Sequence, residues 1–280
     1  MQYFTLNDGN KMPVIGFGTF QMTDPEECAK AVEDAINSGY RLIDTAQSYF
    51  NEEAVGKGIA NANVPREDLF ITSKLWLSDT GYDATKKAFE TTLKKLGLDY
   101  LDLYLIHQPY GDNFGSWKAM EDLQKEGKIK SIGVSNFYND QLANLSLFND
   151  VKPAVNQIEV NPWDQQIEDV KFLKEYGVQT EAWASFAEGK HDIFKNPVLQ
   201  EIGDKYHKSI GQVILRWDIQ RGIIPLAKSS RAERMQENLA VFDFELSAED
   251  MKLIEKLDKK ESQFFDHRDP KMIERLINLH

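Results

Sequence analysis

Four polar residues stand at the end of an apolar run or just beyond one: Asp44 in LIDTA, Tyr49 in AQSYFNE, Lys74 in FITSKLW and His107 in LYLIHQP. Together, a carboxylate, a phenol, an ammonium and an imidazole could protonate a carbonyl oxygen while a hydride reaches its carbon. A free tyrosine has a pKa of about 10, high for an acid working near neutral pH. The ammonium of Lys74 would favour the phenolate and bring that value down. Asp44 would keep Lys74 charged and in place. His107 would orient the carbonyl oxygen and share the proton transfer, and Tyr49 would donate where negative charge develops. Singly, each residue has an ordinary structural role as a helix cap, a packing ring, a strand end or a core histidine. The chemical reading rests on all four reaching one place.

The elements that must carry them follow a repeat. Short apolar runs alternate with amphipathic stretches of helical spacing. The strand candidates are 15–19, 41–44, 69–74, 101–106, 129–135, 154–159, 178–184 and 223–226. Helix signals lie between them: Thr23-Asp24-Pro25 before a stretch ending at Ser38-Gly39, Asp83 before one ending at Gly97, then Asn196-Pro197 and Ser247. Strands alternating with helices imply a parallel sheet, and eight of them suggest closure into a (β/α)8 TIM barrel. Such a barrel takes about 250 residues, which the 280 of this chain accommodate as one domain over 1–280. Asp8-Gly9 between short apolar runs predicts an N-terminal β-hairpin that caps the barrel floor. Residues 196–221 hold two helical patterns split at His207-Lys208-Ser209, one more than the repeat needs. The tail after Lys259 carries Phe264 and Phe265 and is expected to fold over the active rim. In a barrel of this kind the C-terminal ends of the strands form that rim, where all four polar residues would meet.

Composition narrows the partners. The formal charge of −12 argues against non-specific binding to nucleic acid or to an anionic membrane. An anionic ligand would need a local cluster of cations. The one cysteine, Cys28, cannot form an intrachain disulfide, which suits a reducing compartment. The N-terminus does not read as a secretory leader, and no run reaches the roughly 18 apolar residues of a membrane span. The expectation is a cytoplasmic protein. No metal-ligand spacing accompanies the four residues, and none of them is a hydride source, so an organic cofactor is implied. No Gly-x-Gly-x-x-Gly turn joins a strand to a helix. Gly16-Phe17-Gly18 is too short for one and reads as close backbone packing. The segment Lys228-Ser229-Ser230-Arg231-Ala232-Glu233-Arg234 instead places cations and hydroxyls at a helix start, a favourable place for a phosphate.

With their local context, the four residues resemble the catalytic tetrad of the aldo-keto reductases, and matches extend over almost the whole chain. The short loop 109–115 has the look of the bacterial diketogluconate reductase-like and glyoxal reductase-like branch. The resemblance implies a metal-independent, usually monomeric oxidoreductase that reduces a carbonyl with NADPH. It implies that Lys228, Ser229 and Arg234 hold the 2′-phosphate and that Glu237 and Asn238 meet the adenine. Ser135, Asn136 and Gln157 would hold the nicotinamide carboxamide, Trp183 would stack on its ring, and Thr19 and Asp44 would meet its ribose. Phe186 falls in the cofactor loop after the seventh strand. Two departures stand out. The family often reads Tyr-Ser-Pro-Leu where this chain has Trp183-Ala184-Ser185-Phe186, so Ala184 lacks a hydroxyl that usually reaches the pyrophosphate. Its Ile-Pro-Lys-Ser becomes Ile224-Pro225-Leu226-Ala227-Lys228-Ser229, a moved proline. Phe20, Tyr49, Trp76 and His107 would wall an apolar substrate cup, suited to small aldehydes, α-dicarbonyls or keto-sugars. Two other readings stay open on sequence: a nucleotide-sensing or interaction protein on the same fold, and Schiff-base chemistry at Lys74. Asp44 disfavours the latter by holding the lysine protonated.

Overall fold

Alternation with a period of two builds the centre of this protein. In the computed structural model, which describes residues 2–279, eight short parallel strands close into a barrel. An antiparallel hairpin, β1 (Tyr3–Thr5) and β2 (Lys11–Pro13), precedes them. The barrel strands are β3 (Gly16–Gly18), β4 (Leu42–Asp44), β5 (Phe70–Leu75), β6 (Leu101–Ile106), β7 (Ile129–Ser135), β8 (Val155–Glu159), β9 (Gln179–Trp183) and β10 (Ile224–Ala227). Pairing follows chain order, and β10 closes the ring between β9 and β3. The eight predicted strands are all present. Two have the predicted bounds, and the others shift by one residue at one or both ends.

The two faces of each strand bury different things. Leu103 and Leu105 of β6 join Leu42, Phe70, Val155 and Ile224 in a small cluster, while Tyr104 and Ile106 join the large cluster under the helices. The small cluster fills the lower bore of the barrel. Continuing the same alternation upward, Asp44 follows Leu42, Lys74 follows Phe70 and Thr72, and Gln157 follows Val155, all on the inner face. A charged layer therefore sits directly above an apolar one. Gly16 packs closely, as its sequence context predicts: a Cβ there would lie 2.6 Å from Leu226 and 2.7 Å from Leu42.

The helices start and stop where their caps dictate. Asp24 accepts from the Glu26 and Glu27 amides and opens Pro25–Ser38, which ends at Gly39. Asn196 caps Pro197–Tyr206, and Ser209 and Gln212 form a capping box for Ile210–Gln220, the two-helix insertion read from the sequence. Ser247 likewise caps Ala248–Glu255. Asp83 does not cap its helix. Tyr82–Leu96 begins after Gly81, and Asp83 lies in the first turn, where its charge favours the helix dipole. No helix among the described residues is long and apolar enough to cross a membrane.

Both barrel ends are covered. Below, Asn7 donates to the Pro153 and Gly177 carbonyls and Asn10 to the Lys130 carbonyl, which docks the hairpin on the floor. Above, the tail crosses the rim and ends in helix Pro270–Ile277, whose Leu276 packs with Trp76 and Leu77. Glu159, at the end of β8, accepts from Ser262 Oγ at 2.6 Å and from the Gln263 amide at 2.9 Å.

The inner face has no spare room at Gly133 of β7, where a Cβ would meet Leu105 Cδ2 and the Val155 carbonyl oxygen at 2.7 Å each. Gly133→Val is expected to cost about 1–3 kcal/mol of stability through overpacking. Urea denaturation measures this, and an unchanged midpoint would refute the packing described for this layer.

Candidate active site

Lys74 is 0% exposed and its ammonium has three partners. Nζ donates to Asp44 Oδ1 at 2.6 Å, to the Thr45 carbonyl at 3.0 Å and to the Tyr49 phenol oxygen at 3.1 Å. An ammonium so placed is tolerable only when paired and fully hydrogen-bonded. Burial pulls the lysine pKa down, but the charges of Asp44 and Tyr49 outweigh it, and the group stays protonated well above the ordinary lysine range. Burial pushes the Asp44 carboxyl up against the opposing pull of Lys74.

Tyr49 corrects one sequence expectation. Burial of its phenol raises the pKa by more than the neighbouring Lys74 lowers it, so the net direction is upward. The desolvation that keeps Lys74 effective as a hydrogen-bond donor also penalises the phenolate. The balance favours the phenol form of Tyr49, whose oxygen is already hydrogen-bonded to an ammonium.

The remaining member joins from β6. His107 follows Ile106, and its Nδ1 lies 3.3 Å from Ser48 Oγ. Its ring meets Tyr49 edge-on at 5.8 Å and Trp76 at 5.2 Å, and Phe20 leans on Tyr49 at 4.9 Å between ring centroids. The four predicted substrate-cup rings thus form one wall. Trp76 is only 5% exposed, because Tyr110, Phe265 and Met272 pack near it from the loop and the tail.

The predicted cofactor residues fall into two groups. The first lies beside the tetrad. Thr19 Oγ1 donates to the Asp44 carbonyl at 3.1 Å, and Ser135 Oγ to the Gln157 carbonyl at 2.8 Å. Asn136 donates to the His107 carbonyl at 3.0 Å and accepts from Trp183 Nε1 at 2.9 Å, tying the indole to the tetrad. Gln157 Nε2 donates to Asp44 Oδ2 at 3.0 Å. The second group follows β10. Lys228 and Arg234 are exposed, Ser229 caps the turn before helix Ala232–Leu239, Glu237 is exposed on that helix, and Asn238 is buried near Tyr40. Lys228 Nζ reaches Gln21 Oε1 at 3.2 Å, and Gln21 Nε2 reaches Glu188 at 3.3 Å, so one side chain links the loops after β9 and β10. Phe186 turns onto Phe194 at 5.6 Å and is not brought to the tetrad.

Four features escaped the sequence reading. Glu181, fully buried on β9, shares the Gln157 amide nitrogen with Asp44. Its signal was a charged residue in the middle of a predicted barrel strand. The Glu159–Ser262 tether and the Gln21 bridge join residues over a hundred positions apart, and no local pattern announces them. The tail also sets Phe264 against Trp183 at 5.2 Å, with Lys190 over the Phe264 ring at 3.6 Å.

Comparison with known proteins agrees with this geometry. The aldo/keto reductase family profile matches residues 14–259. Glyoxal reductase of Bacillus subtilis is 48% identical over 257 residues, covering 91% of this chain and 92% of that protein. Methylglyoxal reductase DkgA of Escherichia coli is 43% identical over 257 residues, with 91% and 92% covered. The crystal structure of a Bombyx mori aldo-keto reductase in complex with NADP superposes with a TM-score of 0.91 at 38% identity, covering 96% of each chain. With these four side chains gathered at one rim of a closed eight-stranded barrel and relatives of this similarity across nearly its full length, the chain belongs to the aldo/keto reductase family.

Proposed function

We propose that this protein reduces small aldehydes, α-dicarbonyls or keto-sugars to alcohols with NADPH, and that Tyr49 is the proton donor. The observation that carries this reading is the Lys74 ammonium, hydrogen-bonded at once to Asp44 Oδ1 at 2.6 Å and to the Tyr49 phenol at 3.1 Å. When bound, NADPH supplies the hydride. Tyr49 delivers its proton to the carbonyl oxygen as negative charge gathers there. Lys74 then stabilises the phenolate left behind, in a setting where water does not screen it. Asp44 holds Lys74 charged, and His107 orients the carbonyl oxygen beside Tyr49. A lysine held this firmly as an ammonium is a poor nucleophile, which disfavours Schiff-base chemistry.

The residues present suit the cofactor. Lys228 and Arg234 are exposed cations at the start of helix Ala232–Leu239 in a chain of net charge −12, a local place for a phosphate. Lys228, Ser229 and Arg234 hold the 2′-phosphate, and Glu237 and Asn238 serve the adenine. Thr19 and Asp44 meet the nicotinamide ribose, and Ser135, Asn136 and Gln157 take the carboxamide. Trp183 faces the ring, and Phe186 supports the loop beside it. Phe20, Tyr49, Trp76 and His107 form the substrate cup. Its aromatic wall and the short loop after β6 favour small carbonyl compounds, as do relatives named for glyoxal and methylglyoxal. The chain acts as one catalytic domain over 1–280, a cytoplasmic monomer.

NADPH absorbance followed with methylglyoxal, phenylglyoxal, glyceraldehyde, a 2,5-diketo sugar acid and a simple ketone tests the reading directly. Tyr49→Phe is expected to lower turnover by roughly 10²–10⁴, the range of general acid catalysis, while NADPH binding changes little. Wild-type turnover in that variant would remove Tyr49 from the reaction. The pH profile is a second check. Tyr49 donates only while protonated, and its pKa lies above its ordinary value, so the competent form persists through neutral pH and is lost as pH rises through the folded pKa. Reduction at saturating NADPH should therefore decline only above about pH 10. Arg234→Ala should weaken NADPH by roughly tenfold or more and NADH by less than about twofold, measured as dissociation constants. Equal losses would place Arg234 away from the 2′-phosphate.

A further inference from the structure

Glu181 is a fully buried carboxyl group that the proposed chemistry does not use. It lies on the inner face of β9, in alternation with Gln179 and Trp183. Its Oε2 accepts from Gln157 Nε2 at 2.7 Å, and the same nitrogen donates to Asp44 Oδ2 at 3.0 Å. Its Oε1 has no hydrogen-bond partner among the described residues. Asp44 stands on β4 and Gln157 on β8, opposite each other in the ring of eight, so this link spans the bore.

A primary amide has one end that donates and one that accepts. Both hydrogens of Gln157 Nε2 have a carboxyl oxygen to meet. Turning the amide over would set its carbonyl oxygen against Asp44 Oδ2, a repulsion strong at this depth, and would break the Asp44 half of the link. The nitrogen is therefore committed to the interior, and Oε1, which accepts no hydrogen bond from the described residues, is the atom left for a ligand. Burial raises the Glu181 carboxyl to about 8, and the Asp44 charge pushes the same way. Its Oε2 can accept in either protonation state.

We propose that Glu181 is a positioning residue that, with Asp44, locks the Gln157 amide so that the site offers an acceptor and selects a nicotinamide ring bearing a carboxamide N–H. This rests on the reading above that Gln157 meets the carboxamide. The one link couples recognition of the cofactor's reactive ring to the carboxylate that steadies Lys74.

The test compares NADPH with its reduced 3-acetylpyridine analogue, in which a methyl group replaces the carboxamide nitrogen. Dissociation constants come from tryptophan fluorescence quenching. Wild type should favour NADPH by roughly tenfold, the worth of one hydrogen bond. Glu181→Leu should lower that preference to roughly twofold or less, and Glu181→Gln, which keeps an acceptor, should retain it. Lost packing alone would weaken both ligands alike and leave their ratio unmoved. Thermal melting establishes that the leucine variant is folded, and Glu181→Met, which also lacks an acceptor, replaces it if it is not. A folded acceptor-free variant with the wild-type preference overturns the positioning role. Equal binding of the two ligands by wild type instead overturns the carboxamide reading of Gln157, and the role built on it.

Discussion

A charge held away from water governs the upper half of this barrel. Lys74 sits at the end of β5 with no exposed surface, and an ammonium there is stable only with its full set of partners. Asp44, the Thr45 carbonyl and the Tyr49 phenol supply them. The same low-dielectric setting that makes the ion pair costly to assemble makes it effective on the phenol. It also explains why Tyr49 stays protonated, since burial disfavours a phenolate more than Lys74 favours it before any charge appears on a substrate.

The barrel interior divides by height. Its lower bore is hydrocarbon from Leu42, Phe70, Leu103, Leu105, Val155 and Ile224, closed from below by Leu6 and Met12 of the hairpin region. Its upper layer is Asp44, Lys74, Gln157 and Glu181, which exchange hydrogen bonds across the bore. Inverting the layers would expose hydrocarbon at the open rim and bury the charges under the hairpin. Glu181 is the least comfortable member, since one of its oxygens has no hydrogen-bond partner among the described residues. A polar group retained at such a cost is characteristic of a site under functional rather than purely structural constraint.

The rim is assembled from parts remote in sequence. Glu159 on β8 grips Ser262 and Gln263, Lys190 reaches the Gln263 carbonyl at 3.0 Å, and Phe264 covers Trp183. The tail, the loop after β9 and the end of β8 thus form one surface above the tetrad. Gln21 makes a similar connection between Glu188 and Lys228. Most of these contacts are polar side-chain hydrogen bonds, with Phe264 on Trp183 the aromatic exception.

Much of this was legible in the chain. Eight apolar runs alternating with capped helices specify a parallel barrel, because each run must bury two faces and each helix one. That the four polar side chains would meet was legible too, since each of Asp44, Lys74 and His107 ends or follows a strand and all strand ends of such a barrel share a rim. Local caps at Asp24, Asn196, Ser209 and Ser247 were readable because a side chain there bonds an amide two or three residues on. Only the tertiary structure decided the sign of the Tyr49 shift, which weighs burial against a charge contributed by another strand. It alone decided which way Gln157 points, that Glu181 reaches across to it, and that the tail lies on Trp183. Sequence determines what depends on neighbours within a turn or a strand, whereas desolvation and the pairing of distant polar groups exist only once the barrel has closed.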